Sequence, residues 1–251
     1  MSAELSGRVA VVTGAARNIG RAMALELAAA GAAVVVNAKQ SADAAAGVVE
    51  DIERQGGQAL LHLADISGPE GAQSLMTAAL HRFGKIDILV NNAAIRREVP
   101  FAQLDWTQWR EVLAVILDGA FLCASAALPA LRQAGEGTII NIGGMSAHAG
   151  SAGRAHVMAA KAGLVGLTRA LAHDLGPDGI TVNCVVPGMI NTARGAAAGN
   201  AEPAHHAVHS TLLGRRGTPK DIADLVRFLS GPHARYLTGQ VIHANGGAFL
   251  P

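Results

Sequence analysis

Two short segments of this chain carry residue types spaced for chemistry. The first is Ala155-His156-Val157-Met-Ala-Ala-Lys161-Ala-Gly-Leu164. Positions 157 and 161 lie one helical turn apart, so their side chains share a face. A hydroxyl at 157 beside the ammonium of Lys161 would be an acid whose pKa the cation lowers. Valine has no proton to give. The imidazole of His156 is suited to proton transfer near neutrality, but one helical step turns it about 100° away from Val157. Lys161 and His156 are the candidate proton-handling groups of this segment.

The second segment is Thr13-Gly14-Ala-Ala-Arg17-Asn18-Ile19-Gly20. Gly14 permits a tight turn, and Gly20 lets a helix and a strand approach closely. Amides at the start of the helix would then face a pyrophosphate, where the helix dipole also favours negative charge. The loop follows an aliphatic run and opens a helical one, the context in which such a glycine pattern binds a dinucleotide.

Both segments need a frame to hold them. Aliphatic runs over 9–13, 33–37, 59–64, 86–91, 137–142, 180–186 and 241–244 read as strands. Helical patterns over 21–30, 42–55, 67–83, 106–131, 153–175 and 219–230 separate them. Unbroken aliphatic strands are covered on both faces, and repeated strand–helix units make a parallel sheet with right-handed crossovers. The predicted fold class is α/β: one doubly wound, Rossmann-type domain over 1–251, with about seven parallel strands flanked by helices. Ligands belong beyond the carboxyl ends of the strands. The polar, small-residue segment at about 193–213 is a candidate substrate flap. His205, His206 and His209 fall in it, placed to greet an anionic substrate or an adventitious metal. No carboxylate–histidine spacing nearby supports a dedicated metal site.

Half the residues are apolar and the formal net charge is +1, which argues for neither nucleic acid nor an anionic membrane as partner. The N-terminus lacks an apolar signal core and no run of eighteen apolar residues occurs, so a soluble cytoplasmic protein is expected. Cys123 and Cys184 each sit in an apolar stretch and read as buried free thiols.

Further motifs follow in order: Asp65-Ile66, Asn91-Asn92-Ala93-Ala94, Ala160-Lys161-Ala162-Gly163, Pro187-Gly188-Met-Ile190-Asn-Thr192, and Thr238-Gly239-Gln240 with Asn245-Gly246-Gly247. With the glycine loop they resemble the short-chain dehydrogenase/reductase family over essentially the whole chain, in particular the 3-oxoacyl-carrier-protein reductases. Asn18 stands where the family usually has glycine, and Ala94 closes a motif that normally ends in glycine. Asparagine tolerates left-handed backbone angles, so the turn is expected to survive.

The resemblance implies roles. Asp65 would hold the adenine amino group, and Ile66 would pack on its ring. Asn92 would line the cofactor channel. Ile190 and Thr192, in the motif begun by Pro187 and Gly188, would touch the nicotinamide end, and Lys161 would hydrogen-bond the nicotinamide ribose. NAD-preferring relatives carry a carboxylate at the end of the second strand, where this chain has Ala38. Arg17 and Lys39 are placed to meet a 2′-phosphate instead, so NADP(H) is expected over NAD(H). Solvated surface charge is the alternative for both residues.

The family's reaction uses a tyrosine, a serine, a lysine and usually an asparagine. The matching positions here are Val157, Gly144, Lys161 and Ile116, and only the lysine agrees. Ser146 would share a side with Gly144 if that segment is extended, and His148 lies on the same loop. Both join His156 as candidate substitutes. Asp118 is roughly 200° round the helix from Ile116 and is discounted. Three readings stay open: an NADP(H)-dependent oxidoreductase acting on an unidentified carbonyl or alcohol, a nucleotide-binding sensor or partner subunit without catalysis, and another reaction, such as a lyase or hydratase, in the same pocket. The resemblance also implies a homo-oligomer, tetramer or dimer, built through the helices over 106–131 and 153–175 and the C-terminal tail.

Overall fold

The computed structural model describes residues 4–193 and 210–251. Most of the predicted flap, including His205, His206 and His209, lies outside the described residues. Seven strands form one sheet: β1 (Val9–Val12), β2 (Ala33–Ala38), β3 (Ala59–Leu63), β4 (Ile88–Asn91), β5 (Thr138–Ile142), β6 (Thr181–Pro187) and β7 (Val241–Ala244). Their order is β3-β2-β1-β4-β5-β6-β7, and every pairing is parallel. The chain moves outward from β1 to one edge and then from β4 to the other. Between β1 and β4 it leaves the crevice in which an open α/β sheet binds its ligand.

Every residue of β1, β4, β5 and β6 is buried, because helices cover both faces. Ala10, Val12, Val34 and Val36 face α1 (Asn18–Ala29), α2 (Ala42–Arg54) and α8 (Pro219–Ser230). Val11, Val35 and Leu89 face α3 (Pro69–Phe83), α5 (Gly119–Ala134) and the end of α7 (Ala155–Leu175). Period-two alternation thus divides one strand between two cores, which is why the strands read as continuous aliphatic runs. Helix α8 begins on a capping box in which Thr218 and Asp221 satisfy each other's backbone amides, with Pro219 in the first turn.

The helix expected over 106–131 is three pieces. Helix α4 (Trp106–Leu113) starts on a capping box between Asp105 and Gln108, a π-helical turn spans Ala114–Asp118, and α5 follows. By length and composition alone, Trp106–Ala134 is apolar enough to cross a membrane. Here Cys123, Ala127 and Leu131 are instead buried in the core shared with α3 and the sheet. The helix expected from 153 begins at Ala155, and a single turn, α6 (Ser146–Ala149), precedes it. The segment after β5 is therefore not extended, because Met145 already has helical angles. Ser146 does not stand on Gly144's side through strand geometry.

A polar rung fixes α7 on the sheet. The Asn91 amide donates to Asn141 Oδ1 at 2.9 Å, and the Asn141 amide donates to Thr168 Oγ1 at 2.9 Å. Thr168 in turn donates to the Leu164 carbonyl at 2.7 Å. All three side chains are buried, where an unmade hydrogen bond costs about 1–3 kcal/mol. Rotation of α7 is thereby set, and with it the direction of Lys161, two turns before Thr168.

Candidate active site

At the end of β1 the chain makes the tight turn that its glycines foretold. Gly14 has φ +62°, and a Cβ there would lie 2.9 Å from the Ala93 backbone. At Gly20 a Cβ would lie 2.3 Å from the Gly14 carbonyl oxygen and 2.7 Å from the Asn92 amide. Asn18 has φ +52°, the left-handed conformation its residue type tolerates. The Asn92 amide donates to the Thr13 and Gly14 carbonyls at 2.9 and 3.0 Å, locking the loop to the end of β4. Thr13 Oγ1 accepts from the backbone amides of Asn92 and Ala93. Helix α1 has no side-chain cap and no acidic residue in its first turn. Its first amides and dipole are thus offered to an anion, with no carboxylate to repel it.

A cavity of about 390 Å³ runs from this loop to the ends of β2 and β3, lined among others by Arg17, Lys39, Asp65 and Ile66. Lys39 Nζ lies 2.7 Å from Asp65. The other Asp65 oxygen accepts from Ser67 Oγ at 2.7 Å and from the Ser67 amide. These contacts, Lys39 first, hold the Asp65 carboxyl below its ordinary range. A second cavity, of about 460 Å³, continues past the first; Ile19, Asn92, Arg96 and Ala193 line both. Its far wall carries Gly144, Ser146, Val157 and Lys161, and Pro187, Gly188, Ile190 and Thr192 close one side.

Lys161 is 9% exposed, and its ammonium donates to the Ile142 carbonyl at the end of β5. Burial pushes its pKa down to about 8, helped by Arg96 and Arg154 and opposed by Cys184. One turn earlier Val157 is 3% exposed. It belongs to an apolar cluster with Val112, Ile116, Ala120, Ala160 and Leu164. Gly144 has open space where a side chain would begin.

The chain matches the family model described as enoyl-(acyl carrier protein) reductase over residues 14–248. It is 40% identical to a 3-oxoacyl-[acyl-carrier-protein] reductase of Synechocystis sp. over 98% of both chains. It is 37% identical to the 3-oxoacyl-[acyl-carrier-protein] reductase FabG of Staphylococcus aureus, over 96% of this chain and 98% of that one. A short chain dehydrogenase from Burkholderia cenocepacia J2315, solved in complex with NADP, superposes with a TM-score of 0.90 at 36% identity, covering 98% of this chain and 99% of that one. A dehydrogenase/reductase from Sinorhizobium meliloti 1021 also gives 0.90, at 37% identity, over 99% and 98% of the two chains. The chain belongs to the short-chain dehydrogenase/reductase family.

Within this short-chain dehydrogenase/reductase frame, the glycine loop, Arg17, Lys39, Asp65, Ile66 and Asn92 come together on the first cavity, and Lys161, Ser146 and the segment Pro187 to Thr192 on the second. His156 does not join them. It is fully buried beside Val157 but away from the cavity, and neither ring nitrogen has a hydrogen-bond partner among the described residues. Burial, then Arg97 and Arg154, hold its pKa below the ordinary value, so it is neutral. His148 turns instead against His243, with ring centroids 4.6 Å apart. Asp118 is held by Arg110 at 3.1 Å on the outer surface. Among the described residues, no cluster of metal-ligating side chains forms.

Sequence reasoning missed three cavity-lining cations, Arg96, Arg154 and Arg216. Arg154 was within reach of it, because 154, 157 and 161 recur at helical spacing on one face. The other two come from loops after β4 and β6, and no periodicity points to them.

Proposed function

We propose that this chain is an NADP(H)-dependent oxidoreductase that interconverts a small carbonyl compound and its alcohol, with Lys161 handling the proton. The observation that carries the reading is the run of two adjoining cavities, with the glycine cradle and an uncapped helix at one end and Lys161 at the other. NADPH, when bound, supplies the hydride that joins the carbonyl carbon while a proton joins its oxygen. Arg17 and Lys39 would hold the 2′-phosphate, Lys39 leaving its contact with Asp65 to do so. Gly14, Asn18, Ile19 and Gly20 would seat the pyrophosphate on the α1 amides. Asp65 and Ile66 would take the adenine, and Asn92, Pro187, Gly188, Ile190 and Thr192 the nicotinamide end. That relatives at 37–40% identity are named as reductases, and a structural neighbour holds NADP, supports this choice of cofactor and reaction.

The positions at which the family carries its tyrosine, asparagine and serine are Val157, Ile116 and Gly144. Val157 and Ile116 pack into one apolar cluster, so their loss of polarity is a joint repacking. Lys161 is then the titratable group on the described wall closest in pKa to neutrality, and a general acid works best in that range. Ser146 is placed to orient the carbonyl oxygen. The same apolar cluster favours a second reading, a nucleotide-binding subunit or sensor without turnover. In either case we propose a soluble, cytoplasmic homo-oligomer, tetramer or dimer, with the exposed Trp106 and Phe121 of α4 and α5 turned to a second copy.

Titrating NADPH and NADH against the protein by nicotinamide fluorescence, then screening carbonyl compounds for NADPH oxidation, tests this. We expect tighter binding of NADPH, and oxidation that declines as pH rises through about 8. Tight binding with no oxidation across the panel transfers support to the second reading. No affinity for either nucleotide overturns both.

A further inference from the structure

We infer that Lys161 is a nucleophile as well: its amine condenses with a small aldehyde or ketone in the cavity of about 460 Å³ and holds it as an imine. This activity needs no nucleotide and goes beyond the reduction proposed above. The two share one amine, which gives up a proton as the ammonium and forms a carbon–nitrogen bond as the free base.

The chain has four lysines, and three of them are neutralised at the surface. Lys39 lies 2.7 Å from Asp65, Lys85 lies 3.0 Å from Asp87, and Lys220 is held by Asp224 and Glu26. Lys161 has no carboxylate partner among the described residues; it is 9% exposed and donates to the Ile142 carbonyl. Both ends of that bond line the cavity. Val157, one turn away, offers the amine no hydrogen bond, and a Cβ at Gly144 would meet nothing within 4 Å. The wall that carries Lys161 thus leaves room for a small carbonyl compound. Burial first, then Arg96 and Arg154, with Cys184 opposing, bring its pKa down to about 8, so free base is present near neutrality. A desolvated lysine of this kind is suited to Schiff-base formation.

In the step itself the nitrogen lone pair closes on the carbonyl carbon as the carbon–oxygen double bond opens. Counted from the resting ammonium, two of its three protons pass to the oxygen, which leaves as water. The iminium keeps one N–H and the positive charge, and no electrons are gained or lost. The Ile142 carbonyl that held the ammonium is in place to accept that N–H.

Propanal with sodium cyanoborohydride tests this on the whole chain. The cyanoborohydride delivers hydride to an iminium and fixes it as a propylated amine, which peptide mass mapping locates. Near pH 8, Lys161 should be labelled at least about tenfold faster than Lys39, Lys85 or Lys220, because its free-base fraction far exceeds that of an ordinary lysine. The advantage should shrink as the pH approaches about 10. Saturating NADP⁺ should slow labelling of Lys161 and leave Lys85 and Lys220 unchanged. Labelling of Lys161 no faster than that of the surface lysines, in protein with native circular dichroism, would overturn the inference and leave the nucleotide reading standing. Fast labelling that NADP⁺ does not slow would sustain the imine and count against the nucleotide reading of this cavity.

Discussion

Introducing two side chains tests the proposed reading of the reaction centre most directly. The perturbation is Val157→Tyr with Gly144→Ser. At 144 a Cβ meets nothing within 4 Å, so serine enters without displacement. At 157 the added ring is larger than valine, and overpacking a core costs about 1–3 kcal/mol. Val157 lines the cavity of about 460 Å³, however, which gives the ring an outlet and keeps the cost at the low end. A phenol at 157 would stand a helical turn from the Lys161 ammonium, about 6 Å away. At an effective dielectric of about 20 the attraction between phenolate and ammonium is about 3 kcal/mol, enough to bring a pKa of about 10 down by about 2 units. That makes the phenol an acid matched to neutral pH. A positioned general acid contributes about 10²–10⁴-fold, and a donor to the carbonyl oxygen a similar factor that need not multiply with it. Ile116 remains apolar in the variant, so the expected gain in NADPH-dependent ketone reduction is about 100-fold at the level of kcat/KM. Stopped-flow or steady-state nicotinamide absorbance reads it directly. A variant with unchanged circular dichroism and NADPH affinity that gains less than about tenfold would refute the reasoning.

Three further outcomes follow from the same geometry. Lys161→Met removes a buried ammonium whose pKa falls from 10.5 to about 8 on folding. The unfolded chain keeps that proton up to 10.5 and the folded one sheds it at about 8, so wild-type stability rises with pH between those values. Relative to wild type the variant should therefore lose about 2 kcal/mol of advantage between about pH 7 and 9.5, measured by urea unfolding. Gly20→Ala places a methyl 2.3 Å from the Gly14 carbonyl and should lower NADPH affinity about tenfold or more in fluorescence titration, with the far cavity unaltered. Lys39→Ala should weaken NADPH about tenfold and leave NADH unchanged, because only the former presents a 2′-phosphate; equal losses would place Lys39 outside the phosphate site.

The fold was legible because its signals are local. Strands such as Ile139 and Ile140, buried on opposite faces, have to be aliphatic throughout, and the loop from Gly14 to Gly20 declares its turn through residues that tolerate it. What escaped was tertiary. The π-helical turn at Ala114–Asp118 leaves no mark in apolar periodicity, since Ile116 is buried as an α-helical residue would be. Ser146 would share Gly144's side only on an extended continuation of β5, and Met145 turns the backbone into a helix at once. His156 has the chemistry of a catalyst and the wrong rotation, a difference of one step on α7 that the rung from Asn91 through Asn141 to Thr168 enforces. The cations of the cavity wall could not be assembled from sequence, because Arg96, Arg154 and Arg216 arrive from three separate segments.

Asn18 does more than tolerate its left-handed backbone angle. Asn18 donates to the Ala193 carbonyl at 2.8 Å and accepts from the Ala193 amide at 3.0 Å. A glycine could make neither bond. Ala193 lines both cavities, so this two-pronged bridge stands where they adjoin. On the proposed reading, Asn18→Gly should speed NADPH release in stopped-flow fluorescence, because it removes both bonds.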